Sequence, residues 1–135
     1  MRIFSSPNSD PILLDRREEL MRLHEQIEQF LDSTAISGDF PAETDGSPAP
    51  YDEFLGGFRI YKSDEPFRLS RSSNSWLDVR GRPTVLRAYF GHLQFSPENQ
   101  GGHHHPDHDE RVWPKAEDSL RLIIEADATW PGEEI

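Results

Sequence analysis

Gly57-Phe58-Arg59-Ile60-Tyr61-Lys62 opens the stretch that decides the fold. Phe58 and Ile60 alternate with Arg59 and Tyr61, a period of two that makes one face of an extended chain apolar. Phe67 and Leu69 repeat the alternation against Arg68 and Ser70, and Trp76 to Arg80 reads as a third strand. Ser63-Asp64-Glu65-Pro66 and Arg71 to Ser75 between them have turn composition. Three strands joined by short turns predict an antiparallel meander.

Upstream, residues 34–56 carry Gly38, Pro41, Gly46, Pro48 and Pro50, five acids (Asp39, Glu43, Asp45, Asp52, Glu53) and no base. Such a stretch buries too little apolar surface to offset its ordering entropy, so it is expected to be a mobile acidic loop. Before it, Leu20, Leu23, Ile27, Phe30 and Leu31 recur at intervals of three and four, the stripe of an amphipathic helix. Asp15 and Glu18 have capping-box spacing at its start, and its end falls near Asp32 or Ser33. Residues 1–13 read as an extended arm, with an edge strand at Ile12 to Leu14.

Downstream of Gly81, Val85, Leu86, Tyr89, Phe90 and Leu93 return to helical spacing, with Pro83 suited to a first turn. A strand over 84–90 competes, because Thr, Val, Tyr and Phe favour sheets. Pro97 to Gly102 is a loop, His103 to Asp109 a polar edge strand interrupted at Pro106, and Leu120 to Ala126 a central strand. The expected fold is α+β: a mostly antiparallel sheet of four to five strands with two helices packed on one face, a single domain over 1–135.

Composition narrows the function. The 135 residues carry 14 bases against 25 acids, a formal charge of -11, which argues against nucleic-acid binding because that needs a basic patch. There is no cysteine, so disulfides, thiolate metal sites and a cysteine nucleophile are excluded. Apolar runs such as Leu122-Ile123-Ile124 are too short to cross a bilayer, and Met1 to Pro7 lacks the apolar run of a signal peptide. The expectation is a soluble cytoplasmic protein with no membrane partner.

One constellation stands out. His103-His104-His105-Pro106-Asp107-His108-Asp109-Glu110 places four imidazoles and three carboxylates in eight residues. On a strand His103 and His105 share a face, as an H-x-H metal pair does, and Asp107, His108 or Glu110 could supply a third ligand. The spacing of His103, His105 and Glu110 resembles the first cupin motif. Pro97 and Glu117 stand where that motif has glycines, and no second histidine motif follows. A solvated histidine run and a proton-linked switch are the competing readings.

Other chemistry is sparse. Gly56-Gly57 has neither a P-loop lysine nor a G-x-G-x-x-G frame, and no serine sits in G-x-S-x-G. Glu18-Glu19, Asp52-Glu53 and Glu133-Glu134 are consecutive acids that diverge on regular elements. No catalytic residue and no cofactor is predicted. Trp113 and Trp130 lie in polar segments before prolines, a setting for interface anchors, although each also suits the edge of a core.

Four stretches taken together carry a resemblance: Tyr51-Asp52-Glu53-Phe54-Leu55, Trp76-Leu77-Asp78-Val79-Arg80-Gly81 leading into a helix, Gly102-His103-His104-His105, and Ser119-Leu120-Arg121-Leu122-Ile123-Ile124. Their order resembles the immunity-protein type 32 family found beside bacterial polymorphic toxins, over roughly residues 51–126. The resemblance implies a single-domain cytoplasmic protein that binds and neutralises a toxin, and it carries over no catalytic residue. The polar His103–Glu110 segment and the acidic loop stand outside the pattern. Two functions follow as expectations. One is a non-enzymatic acidic binding protein with a basic protein partner such as a toxin, the acidity steering encounter. The alternative is a small metal-binding protein or metal-dependent enzyme built on the histidine cluster.

Overall fold

A computed structural model of the chain describes residues 1–7, 9–95 and 103–127. Two helices and two mixed sheets make an α+β fold. The five-stranded sheet has the order β4-β1-β2-β9-β8: Glu53–Leu55, Arg2–Ser5, Ile12–Asp15, Ile123–Ala126, His103–His104. The four-stranded sheet has the order β3-β5-β7-β6: Ser37–Pro41, Gly57–Lys62, Leu77–Gly81, Arg68–Arg71. Antiparallel pairs predominate; β2 with β9 and β5 with β7 are the parallel ones.

The alternating strands form where expected, but not as a meander. β7 pairs in parallel with β5 and antiparallel with β6, so β6 lies outside β7. This register sets Phe58 beside Leu77 and Ile60 beside Val79, with Leu69 next in line, all fully buried. A period of two states which side chains face the core; it is silent about which strand lies beside which. The outer edge of β6 is taken by a later segment: the Ala116 amide donates to the Phe67 carbonyl at 2.8 Å and the Leu120 amide to Leu69 at 2.7 Å.

The N-terminal arm is also more than an edge. β1 and β2 form a hairpin inside the five-stranded sheet, where Ile3, Leu13, Leu55 and Ile124 line up across four strands, almost wholly buried. Phe4 points the other way and packs on Tyr51 and Phe54, with ring centroids 5.2 and 5.1 Å away. The stretch read as an acidic loop contains β3 and β4 at its ends, with irregular chain between. Backbone pairing to β5 and β1 orders those ends, together with apolar contacts that composition understated: Leu55 is buried, Phe54 and Tyr51 pack on Phe4, and Phe40 packs on Phe30. The chain passes between the sheets at Gly56-Gly57. A Cβ on Gly56 would lie 2.2 Å from the Trp76 indole nitrogen, and Gly57 has φ +148.

The first helix, α1, spans Arg17–Asp32 and buries the five residues of its predicted stripe. Its N-cap is Arg16, not Asp15. Asp15 ends β2 and accepts the Arg16 amide at 2.7 Å, so the capping-box pair never forms. Glu18 and Glu19 still place negative charge on the first turn. The second helix, α2, spans Pro83–Phe90 with proline at its start, and a 3-10 turn Gly91–Leu93 continues it. Arg87 ties α2 to Glu28 and Asp32 of α1. A single cluster of buried side chains draws on both helices and both sheets.

Candidate functional site

The histidine-rich segment runs from the edge strand β8 through two 3-10 turns, Pro106–His108 and Glu110–Val112. Local geometry sends its side chains to different places. His104 turns inward, stacks on Phe95 at 3.9 Å, and its Nδ1 donates to the His92 carbonyl at 2.7 Å. His103, His105 and His108 gather near the surface: the His105 ring centroid lies 4.9 Å from that of His103 and 5.1 Å from that of His108. The first pair is perpendicular and the second stacked.

The carboxylates expected beside them diverge. Asp107 is 2% exposed. Its Oδ1 faces the Lys115 ammonium at 3.2 Å and its Oδ2 accepts the Leu122 amide at 2.8 Å. Asp109 caps the second turn by accepting the Arg111 amide at 2.9 Å, grips the Arg111 guanidinium, and reaches His92 Nε2 at 2.8 Å. The Arg111 hydrogen bonds, reinforced by His92, hold its carboxyl well below the usual range despite partial burial. Glu110 is exposed and has no ion-pair partner among the described residues. Among those residues no three His, Asp or Glu side chains form a group able to hold a metal ion.

What the segment does build is a platform for Trp113, an indole 57% exposed. Its Nε1 donates to the Asp107 carbonyl at 3.0 Å, and the Lys115 ammonium sits 4.6 Å from its ring centroid. Lys115 is itself fixed by the buried Asp107, so one carboxylate organises both the chain and the indole. Beside the indole lies an apolar cleft of about 140 Å³ lined by Pro66, Phe67, Val85 and Pro114, with Glu65 and Arg82 at hand. Asp64 and Glu65, and Glu110 and Glu117 in the tryptophan's own loop, have no ion-pair partner among the described residues. Of the five acids of 34–56, three are held, Asp39 by Arg59, Glu43 by Arg2 and Glu53 by Arg71, while Asp45 and Asp52 have no ion-pair partner among the described residues.

Trp130 lies outside the described residues. Two partnerships escaped the sequence reading, Asp107 with Lys115 and His92 with Asp109. The one available signal was compositional: Lys115 is one of only two lysines among 14 bases. No described helix is long and apolar enough to cross a membrane. No family model matches the chain, and no curated protein or solved structure is significantly similar to it.

Proposed function

We propose that this is a non-enzymatic acidic binding protein that neutralises a toxin by direct contact, docking it on the Trp113 corner. The observation that carries the reading is an exposed indole already immobilised by a hydrogen bond and a cation. A large aromatic fixed before encounter loses little entropy on binding, which is the property of an interface anchor. The cleft beside it accepts an apolar side chain of the partner. The unpaired acids around it, within a chain of charge -11, suit a lysine- and arginine-rich surface such as a nuclease substrate groove. The resemblance to type 32 immunity proteins supports the same reading.

The test is co-expression with the product of the neighbouring gene, followed by binding kinetics at two salt concentrations. Growth rescue is expected, with an association rate that falls as the Debye length shrinks from about 10 Å at 0.1 M to about 3 Å at 1 M. Trp113→Ala should weaken the complex by about 2 kcal/mol or more, chiefly through faster dissociation. No rescue and no complex from folded protein refutes the immunity reading. A complex indifferent to Trp113→Ala refutes the docking site.

A second reading rests on the gathering of His103, His105 and His108: a divalent metal bound by imidazoles that re-orient. Calorimetry with Zn²⁺ on protein never exposed to a nickel column separates the two. Sub-micromolar binding abolished by His103→Ala and His105→Ala would favour the metal protein; its absence favours the binding protein.

A further inference from the structure

We propose that β3 is a pairing edge for a second copy of this chain, giving a weak two-fold dimer in which β3 runs antiparallel to its counterpart about Gly38. The Lys62 amide donates to the Ile36 carbonyl at 2.8 Å and the Ala42 amide to Gly56 at 2.8 Å. Residues 36, 38, 40 and 42 therefore direct their backbone groups toward β5, and Ser37 and Asp39 direct theirs outward. Neither outward pair of N–H and C=O groups has a partner among the described residues. The outer edge of β6, at the other side of this sheet, is by contrast occupied by residues 116–120.

Devices that commonly blunt an edge are weak here. Pro41 removes one donor at the strand's end, and the acid on the strand, Asp39, is already held by Arg59 at 2.7 Å. Asp32 and Glu43, which flank the strand, likewise face Arg87 and Arg2. The edge is thus a locally neutral strip on an acidic molecule, which favours a copy of the same chain over a strongly basic partner. Side chains agree. Ile36, at 72% exposed, is the most exposed large apolar residue described. With the axis at Gly38, Ile36 lies opposite the partner's Phe40, Ser37 opposite the partner's Asp39, and four backbone hydrogen bonds close the pair. The contact is small by the standard of stable dimers, so association belongs to high chain concentration.

Sedimentation velocity of the full chain from about 10 µM to about 1 mM tests this, with dimer expected toward the upper end. Ile36→Lys and Ser37→Pro should each raise the dissociation constant at least about tenfold. Both positions are exposed, and a proline whose missing N–H faces solvent is tolerated on an edge, so folding is retained. Added salt should leave the dimer unchanged or strengthen it by screening like net charges. The chain has no cysteine, so register can be read directly: Ser37→Cys mixed with Asp39→Cys under mild oxidant should form the mixed dimer. Hydrogen-bonded antiparallel partners have Cα atoms about 5.5 Å apart, within disulfide reach. A monomer at every concentration, a dimer insensitive to both substitutions, or one dissolved by salt overturns the proposal. Cross-linking of Ser37→Cys chains to each other as efficiently as to Asp39→Cys chains overturns the register.

Discussion

Asp107→Ala should be among the most damaging single changes outside the apolar core. The carboxylate is 2% exposed and serves two buried donors, the Lys115 ammonium at 3.2 Å and the Leu122 amide at 2.8 Å. Removing it strands a cation whose side chain is 8% exposed. Breaking a buried ion pair by deleting one partner costs about 3–5 kcal/mol. Orphaning a buried amide costs about 1–3 kcal/mol. Both penalties come from one carboxylate and overlap, so the expected loss is about 3–5 kcal/mol, a large share of the roughly 5–15 kcal/mol that holds a domain together. With a urea m-value of about 1–3 kcal/mol/M, the midpoint should fall by at least about 1 M. Asp107→Asn keeps an acceptor for Leu122 while removing the charge, so it separates the two penalties. Combining it with Lys115→Met should recover much of the loss, because no unpaired charge then remains buried. Tryptophan emission should shift to the red in Asp107→Ala as the Trp113 platform loosens. A loss under about 1 kcal/mol, or a double-mutant cycle with coupling below about 0.5 kcal/mol, would show that the pair does not organise this region.

Four further outcomes are expected. Leu23→Ala, on the buried stripe of α1, should cost about 2–5 kcal/mol in a denaturant melt; a change under half of about 1 kcal/mol would mean α1 is not packed. Asp109 has a depressed folded-state value, so its contribution is present above the unfolded value of about 3.9 and is lost as pH falls through the folded one. Asp109→Asn should flatten that acid limb. Burial, opposed by Glu25 and helped by Arg87, lowers His24 from 6.5. The unfolded chain therefore binds that proton first, stability falls as pH drops below about 6.5, and His24→Gln should remove that slope; an unchanged profile counts against it. Amides of residues 44–47 make no hydrogen bond among the described residues, so they should exchange fastest, and a protease specific for glutamate should cut first at Glu43. Protection there equal to that of β9 would contradict a mobile acidic segment.

Local patterns of one period were legible in the chain. The stripe of α1, the start of α2 at Pro83 and the inward residues of β5 and β7 all follow from which side chains recur on one face, a property that needs no knowledge of neighbours. The cluster from His103 to Glu110 was legible as a concentration of polar groups, but its division was not. Asp107 serves the interior because Lys115 and Leu122 face it, and Asp109 serves His92 because a turn points it there. Those partners lie 8, 15 and 17 residues away. The same limit explains the sheets. Apolar alternation in β5, β6 and β7 is equally satisfied by a meander or by a parallel β5–β7 pair with β6 outside. Only the burial of Phe58 against Leu77 and Ile60 against Val79, with residues 116–120 claiming β6's free edge, selects between them. Sequence alone settled which faces are apolar and that the chain is acidic and thiol-free. The tertiary structure decided strand order, the two-sheet split and which polar side chains are buried, because those depend on contacts between segments far apart along the chain.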